Sequence, residues 1–129
     1  MNPIQSTLRL IEDFDVNNDR FSKSIKIFRR SPYGYRLLLE IMRGHYELTE
    51  EKITIEYLCK VVQQLSSRIT VNSFLKELLQ IKLIENHQDP KDGRLKIIKP
   101  SDFLVKEYEQ WVKILFSNEQ EFQTNFKRS

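Results

Sequence analysis

The sequence predicts a mainly α-helical domain carrying one small β hairpin, and three observations predict it. Residues 54–80 hold two helical apolar stripes separated by a short polar turn. Residues 83–99 read as two short strands around Gln88-Asp89-Pro90-Lys91-Asp92-Gly93-Arg94, where Asp-Pro and Asp-Gly supply turn chemistry. On either side, in residues 3–46 and 101–116, apolar side chains recur at three- and four-residue steps. A helix-turn-helix followed by such a hairpin is a winged helix. The expected organisation is a single domain over 1–129, with residues 54–99 as the lobe and residues 1–46 and 101–129 as a helical frame around it.

In chain order, the first helix is expected over 3–14, on Ile4, Leu8, Ile11 and Phe14, with a polar break from Asp13 to Asn18. The second is expected over 19–30, with Phe21, Ile25 and Phe28 on one face and Lys23, Lys26 and Arg30 on another. That basic face suits either plain solvation or an anionic ligand. Ser31-Pro32 starts the third helix, a capping hydroxyl followed by proline at the first helical position. It runs to about Tyr46 with Tyr35, Leu38, Leu39 and Met42 inward. Glu47 to Lys52 is an acidic loop, and Ile53 a short strand-like approach.

Thr54 caps the fourth helix, which places Tyr57, Leu58, Val61 and Val62 at helical spacing. Gln63 to Ser66 is the turn. Ser66 or Ser67 caps the fifth helix, which runs to about Gln80 with Val71, Phe74, Leu75, Leu78 and Leu79 inward. Its leading outward residues are Ser67, Arg68, Thr70, Asn72 and Ser73, with Lys76 a turn on. Arginine suits guanine, asparagine suits adenine, and the hydroxyls serve bases or phosphate. An ordinary polar helix face has the same composition. The strands are expected at Leu83–His87 and Leu95–Lys99, with Lys91 and Arg94 on the tip between them. Basic side chains on a projecting hairpin can reach a minor groove or backbone. Ser101 caps a last helix from Asp102 to about Phe116, and Asn118 to Phe126 extends it or forms another.

Charge and composition restrict the function. Net charge is +3, yet residues 20–39 carry six basic side chains and no acid, and residues 66–99 carry seven basic against four acidic. Two basic blocks between acidic ones suit a polyanion. No run of about 18 apolar residues occurs, so no membrane span is expected. The acidic start of the chain lacks the order of a signal peptide. With a single cysteine, Cys59, the chain fits the cytoplasm. His45 and His87 are far apart, so no metal or other cofactor is expected. No phosphate-cradling loop, dinucleotide fingerprint or nucleophile elbow is present, and the chain does not read as an enzyme. Cys59, beside an apolar stripe, reads as a buried thiol, an oxidation sensor being the alternative. Phe103, Tyr108, Trp111 and Phe116 read as core or interface residues, with an effector pocket as the alternative.

Residues 54–102 resemble the DNA-binding lobe of the MarR-type winged-helix transcription regulators. The likeness rests on Thr54 to Leu58, on Ser67-Arg68-Ile69-Thr70-Val71, on Leu78 with Lys82-Leu83-Ile84-Glu85, and above all on Asp89-Pro90-Lys91-Asp92-Gly93-Arg94. Asp92 and Arg94 match the family's Asp-x-Arg wing signature. Pro100-Ser101 stands where the family often has Leu-Thr, and residues 1–40 carry no matching motif. The Staphylococcal accessory regulators are a near neighbour of the same shape. The resemblance implies a homodimer interleaved through its terminal helices, binding double-stranded DNA and open to a small-molecule effector. It implies DNA contact by Ser67, Arg68, Thr70, Asn72, Ser73, Lys76, Lys91 and Arg94, with Asp92 orienting Arg94. Two other readings share the fold: a winged helix used for protein–protein contact, and a DNA-binding replication or partitioning protein. Internal ion pairs at Arg68 and Arg94 would favour the first of these.

Overall fold

The computed structural model describes residues 2–19 and 22–128, with the side chains of 13, 16–19 and 117–128 excepted. Its elements are α1 (Pro3–Asp19), α2 (Lys23–Arg29), α3 (Pro32–His45), α4 (Ile55–Val61), α5 (Arg68–Gln80), β1 (Ile84–Gln88), β2 (Lys96–Pro100) and α6 (Asp102–Arg128). Six helices and one antiparallel two-stranded sheet make the expected class, mainly α with a β wing.

Boundaries moved where local chemistry had been misread. The break expected from Asp13 to Asn18 is helical, because Asp and Asn are weak helix formers but not breakers, and extending a helix costs less than starting one. The second helix begins at Lys23 because Ser22 caps it, its Oγ accepting the Ile25 N–H at 3.0 Å. It ends before Arg30, which therefore leaves the expected basic face. Phe21, assigned to that helix, lies outside the described residues. In α3 the buried face is Leu37, Leu38, Ile41 and Met42, with Tyr35 and Leu39 only half-buried. A run of three leucines fits two stripes equally, and packing selects between them. The last helix is one element of 27 residues. Glu119, Glu121 and Phe126 fall where side chains are not described.

Two compact units divide the chain. One is Ile27–Val105. Its core comprises Phe28, Leu37, Leu38, Ile41, Met42, Leu58, Val62, Val71, Leu75, Leu78, Ile84, Ile98 and Leu104. Phe74 meets Phe28 and Tyr33 edge to face, at 5.9 and 5.6 Å between centroids. The strands pair Ile84 with Pro100, Asn86 with Ile98 and Gln88 with Lys96. Each strand starts one residue later than expected. Lys82 takes a left-handed conformation (φ 62°), and the Leu83 N–H closes the end of α5 on the Leu78 carbonyl at 3.0 Å instead of joining the ladder. Ile53, expected to be strand-like, makes one such bond, its carbonyl accepting the Ile98 N–H at 2.7 Å. A Cβ at Gly44 would overlap the Ile53 side chain, so the glycine lets the approach to α4 lie against α3.

The other unit is Met1–Lys26 with Lys106–Ser129. Ile25 and Trp111 are buried in it, Ser24 Oγ donates to Glu107 Oε1 at 3.1 Å, and the Tyr108 and Trp111 rings lie 5.8 Å apart. Along α1, Ile4, Leu8, Leu10, Ile11 and Phe14 are 52 to 70% exposed. No helix among the described residues is long and apolar enough to cross a membrane.

Candidate nucleic-acid interface

The candidate recognition helix, α5, starts on Ser67. The Ser67 Oγ accepts the Thr70 N–H at 3.2 Å and donates to Thr70 Oγ1 at 3.0 Å. The two hydroxyls assigned to DNA thus also build the cap that fixes the helix start. Inward, Val71, Phe74, Leu75 and Leu78 are buried. That leaves Arg68, Ile69, Thr70, Asn72, Ser73 and Lys76 exposed. Ile69, not among the outward residues expected from the sequence, is 82% exposed. Its signal was available: Ile69 is out of register with the buried stripe. An apolar side chain at this place can contact a thymine methyl.

Two outward residues are tethered to α4. The Arg68 guanidinium pairs with Glu56. The Cys59 thiol donates to Asn72 Oδ1 at 3.8 Å. Cys59 is buried, and burial pushes its thiol pKa up.

The wing tip is held from inside and open outside. Asp89 is buried, with Oδ2 accepting from Lys52 Nζ at 2.5 Å and Oδ1 accepting the Lys91 N–H at 3.2 Å. The Lys52 ammonium and the Lys91 N–H hold its carboxyl below the usual range. Asp92 Oδ1 accepts the Arg94 N–H at 3.1 Å, and the Asp92 carbonyl accepts the Leu95 N–H at 3.0 Å, which turns the chain into β2. Gln88 Nε2 donates to the Gly93 carbonyl at 2.9 Å across the tip. Arg94 Nε lies 3.6 Å from Asp92 Oδ1, and the Arg94 side chain is 95% exposed. Lys91 is exposed as well.

Between helix and wing lies a concavity of about 830 Å³, whose lining includes Thr54, Tyr57, Ser67 and Leu95. Its charged lining is Glu50, Glu51 and Glu56 against Lys52, Lys60 and Arg68. Phe103, Tyr108, Trp111 and Phe116 take no part in it. Of the basic residues expected on the second helix, Lys23 and Lys26 are exposed, while Arg30 pairs with Glu77 of α5 at 3.5 Å.

Behind this face is Glu40, fully buried in α3. Its Oε2 accepts from the Tyr57 hydroxyl at 2.8 Å, and its Oε1 pairs with Arg36 at 2.8 Å and Arg43 at 3.7 Å. Burial alone would raise the carboxyl pKa, but the Tyr57 hydroxyl and the two guanidinium groups outweigh it and hold the pKa low.

A capped helix with a polar outer face, set beside a two-stranded wing after a tight turn, is a winged helix-turn-helix. The solved structures with this fold include MepR of S. aureus, a MarR-family transcription regulator. MepR bound to ethidium bromide matches 97% of this chain and 83% of its own, with a TM-score of 0.70 and 18% identity. The MepR–DNA complex matches 94% of this chain and 80% of its own, with a TM-score of 0.67 and 19% identity. A further structure, MepR as transcription regulator of the multidrug efflux pump MepA, matches 97% and 84%, with a TM-score of 0.57 and 18% identity. No protein-family model matches the sequence, and no curated protein matches it.

Proposed function

We propose that this chain is a dimeric, sequence-specific, double-stranded DNA-binding transcription regulator of MarR type. The observation that carries the reading is the juxtaposition of an exposed, capped helix start with an exposed wing arginine, on a fold shared with a protein solved on DNA. In this mechanism two α5 helices enter successive major grooves roughly 34–36 Å apart on a pseudo-palindromic site. Arg68, Thr70, Asn72 and Ser73 approach base edges, Ser67 and Lys76 hold phosphates, and Lys91 and Arg94 contact minor groove or backbone, with Asp92 orienting Arg94. The ethidium complex of MepR supports extending the reading to a small-molecule effector, which would act by shifting the population of lobe spacings.

A second reading, a winged helix used for protein–protein contact, has its own observation: Arg68 and Arg94 are both in ion pairs. Exposure weighs against it. Arg68 and Glu56 are 58% and 71% exposed. Exposed pairs contribute about 0–1 kcal/mol, less than a bidentate base contact of about 1–3 kcal/mol.

The test is selection of bound duplexes from a random pool at two salt concentrations. Enrichment of an inverted repeat is the expected result. Arg68→Ala should then weaken the selected site by roughly ten- to a hundredfold and relax one base position. Arg94→Ala should weaken all duplexes alike and lower the salt slope by about one. No enrichment over non-specific binding overturns the reading.

A further inference from the structure

Glu56 is an anion at the place where a nucleic-acid-binding face least accommodates one. It sits in the first turn of α4, exposed, and its carboxylate holds the Arg68 guanidinium at the first residue of α5. It has company: Glu50 and Glu51 line the same concavity, so three carboxylates stand against three cations there. Attraction of a polyanion alone would call for cations without the acids.

We propose that Glu56 is a specificity-determining positioning residue that acts through Arg68; this rests on the DNA-binding reading above. A guanidinium carries five N–H donors in a rigid fork. Glu56 engages part of that fork and fixes its plane, leaving the other donors for a base edge with two acceptors. Guanine is neutral and offers O6 and N7 together, so Arg68 can bind it while still paired to Glu56. A phosphate in its place also offers two acceptors to the fork, but it brings a second negative charge against Glu56. The carboxylate therefore lowers non-specific affinity while leaving guanine recognition intact, and the ratio of the two rises.

The signs of the effects separate this role from a structural one. In the full-length chain, Glu56→Gln keeps the shape and removes the charge. Non-specific affinity should rise roughly three- to tenfold, with a salt slope steeper by about one. Affinity for the selected duplex should stay level or fall, so the specificity ratio drops by roughly threefold or more. Glu56→Asp should recover part of the ratio. On an Arg68→Ala background, Glu56→Gln should no longer affect discrimination at the base position that Arg68 reads. If Glu56→Gln weakens both affinities in parallel, or leaves the ratio unchanged while the wild type is selective, this inference is overturned and the regulator reading stands. A wild-type chain that selects no duplex overturns both.

Discussion

Glu40 is a fully buried carboxylate within the winged-helix unit. It is tolerated because the Tyr57 hydroxyl of α4 donates to its Oε2 and two arginines of its own helix form ion pairs at its Oε1. Glu40→Ala leaves the Tyr57 hydroxyl and both guanidinium groups without that partner. The expected loss is about 2 kcal/mol, low for a broken buried pair because both arginines reach water; denaturant unfolding measures it. An unchanged midpoint would show that the pairs contribute nothing. The pH dependence has a definite sign. Glu40 and Asp89 both have folded pKa values below the ordinary ones. Each thus contributes stability that is complete above a pH of about 5 and is lost as pH falls through the lower folded value. Acid titration of the melting temperature should show a steeper fall in the wild type than in Glu40→Gln. Neither this site nor the Glu56–Arg68 pair was legible in the sequence. Tyr57 lies 17 positions from Glu40 and Arg68 lies 12 from Glu56, each on a different helix from its partner, and local periodicity says nothing about which residues of two helices meet.

At the level of elements, the starts capped by a hydroxyl were legible at α3, α4, α5 and α6, while that of α2, expected at residue 19, falls at Lys23. Ser31, Thr54, Ser67 and Ser101 cap helices as their residue types require, with hydroxyls accepting backbone N–H groups at 3.1 to 3.2 Å. The ends of α3 and α5, expected near Tyr46 and Gln80, fall at His45 and Gln80, and both close through left-handed residues that are not glycine, Glu47 (φ 57°) and Lys82 (φ 62°). At α5 the Lys82 N–H bonds to the Leu79 carbonyl at 3.2 Å and the Leu83 N–H to that of Leu78, with Leu78 and Leu83 both buried. A left-handed side-chain residue costs about 1 kcal/mol more than glycine. Lys82→Gly should therefore stabilise the fold by about that amount, seen as a melting temperature higher by a few degrees; a lower one would contradict the cap assignment. The wing was legible from its turn residues, but its anchor was not. Lys52 reaches Asp89 from the loop before α4, and the Ile53 carbonyl holds β2 one residue on. Lys52→Met should lower the melting temperature, because it leaves the buried Asp89 carboxylate without its cation, and hydrogen exchange should quicken at the amides of Asp89 and Lys91. Unaltered exchange there would show that the turn holds itself.

At the level of the whole molecule, the stripe read from the sequence at Ile4, Leu8, Ile11 and Phe14 lies on a helix as expected, yet every one of these side chains is exposed in the single chain. Periodicity reports that a face is apolar; it does not report which chain covers it. Apolar burial contributes about 25 cal/mol per Å², and large contiguous apolar patches are rare on monomers. A second copy of the chain is the partner that the proposed function requires, since one lobe reads only half of an inverted repeat. Leu8→Glu puts an unpaired carboxylate into that contact in both copies. The expected cost is roughly 2–3 kcal/mol per copy, enough to dissociate the dimer at micromolar concentration. Sedimentation should then give the mass of one chain, and that of two for the wild type. Because Leu8 lies in the other compact unit from Arg68 and Arg94, the winged helix should stay folded and still bind half-sites, with the gain from two linked half-sites lost. If Leu8→Glu retained the wild-type mass, α1 would not be the dimer contact, and the second recognition helix would have to be brought to DNA by some other surface.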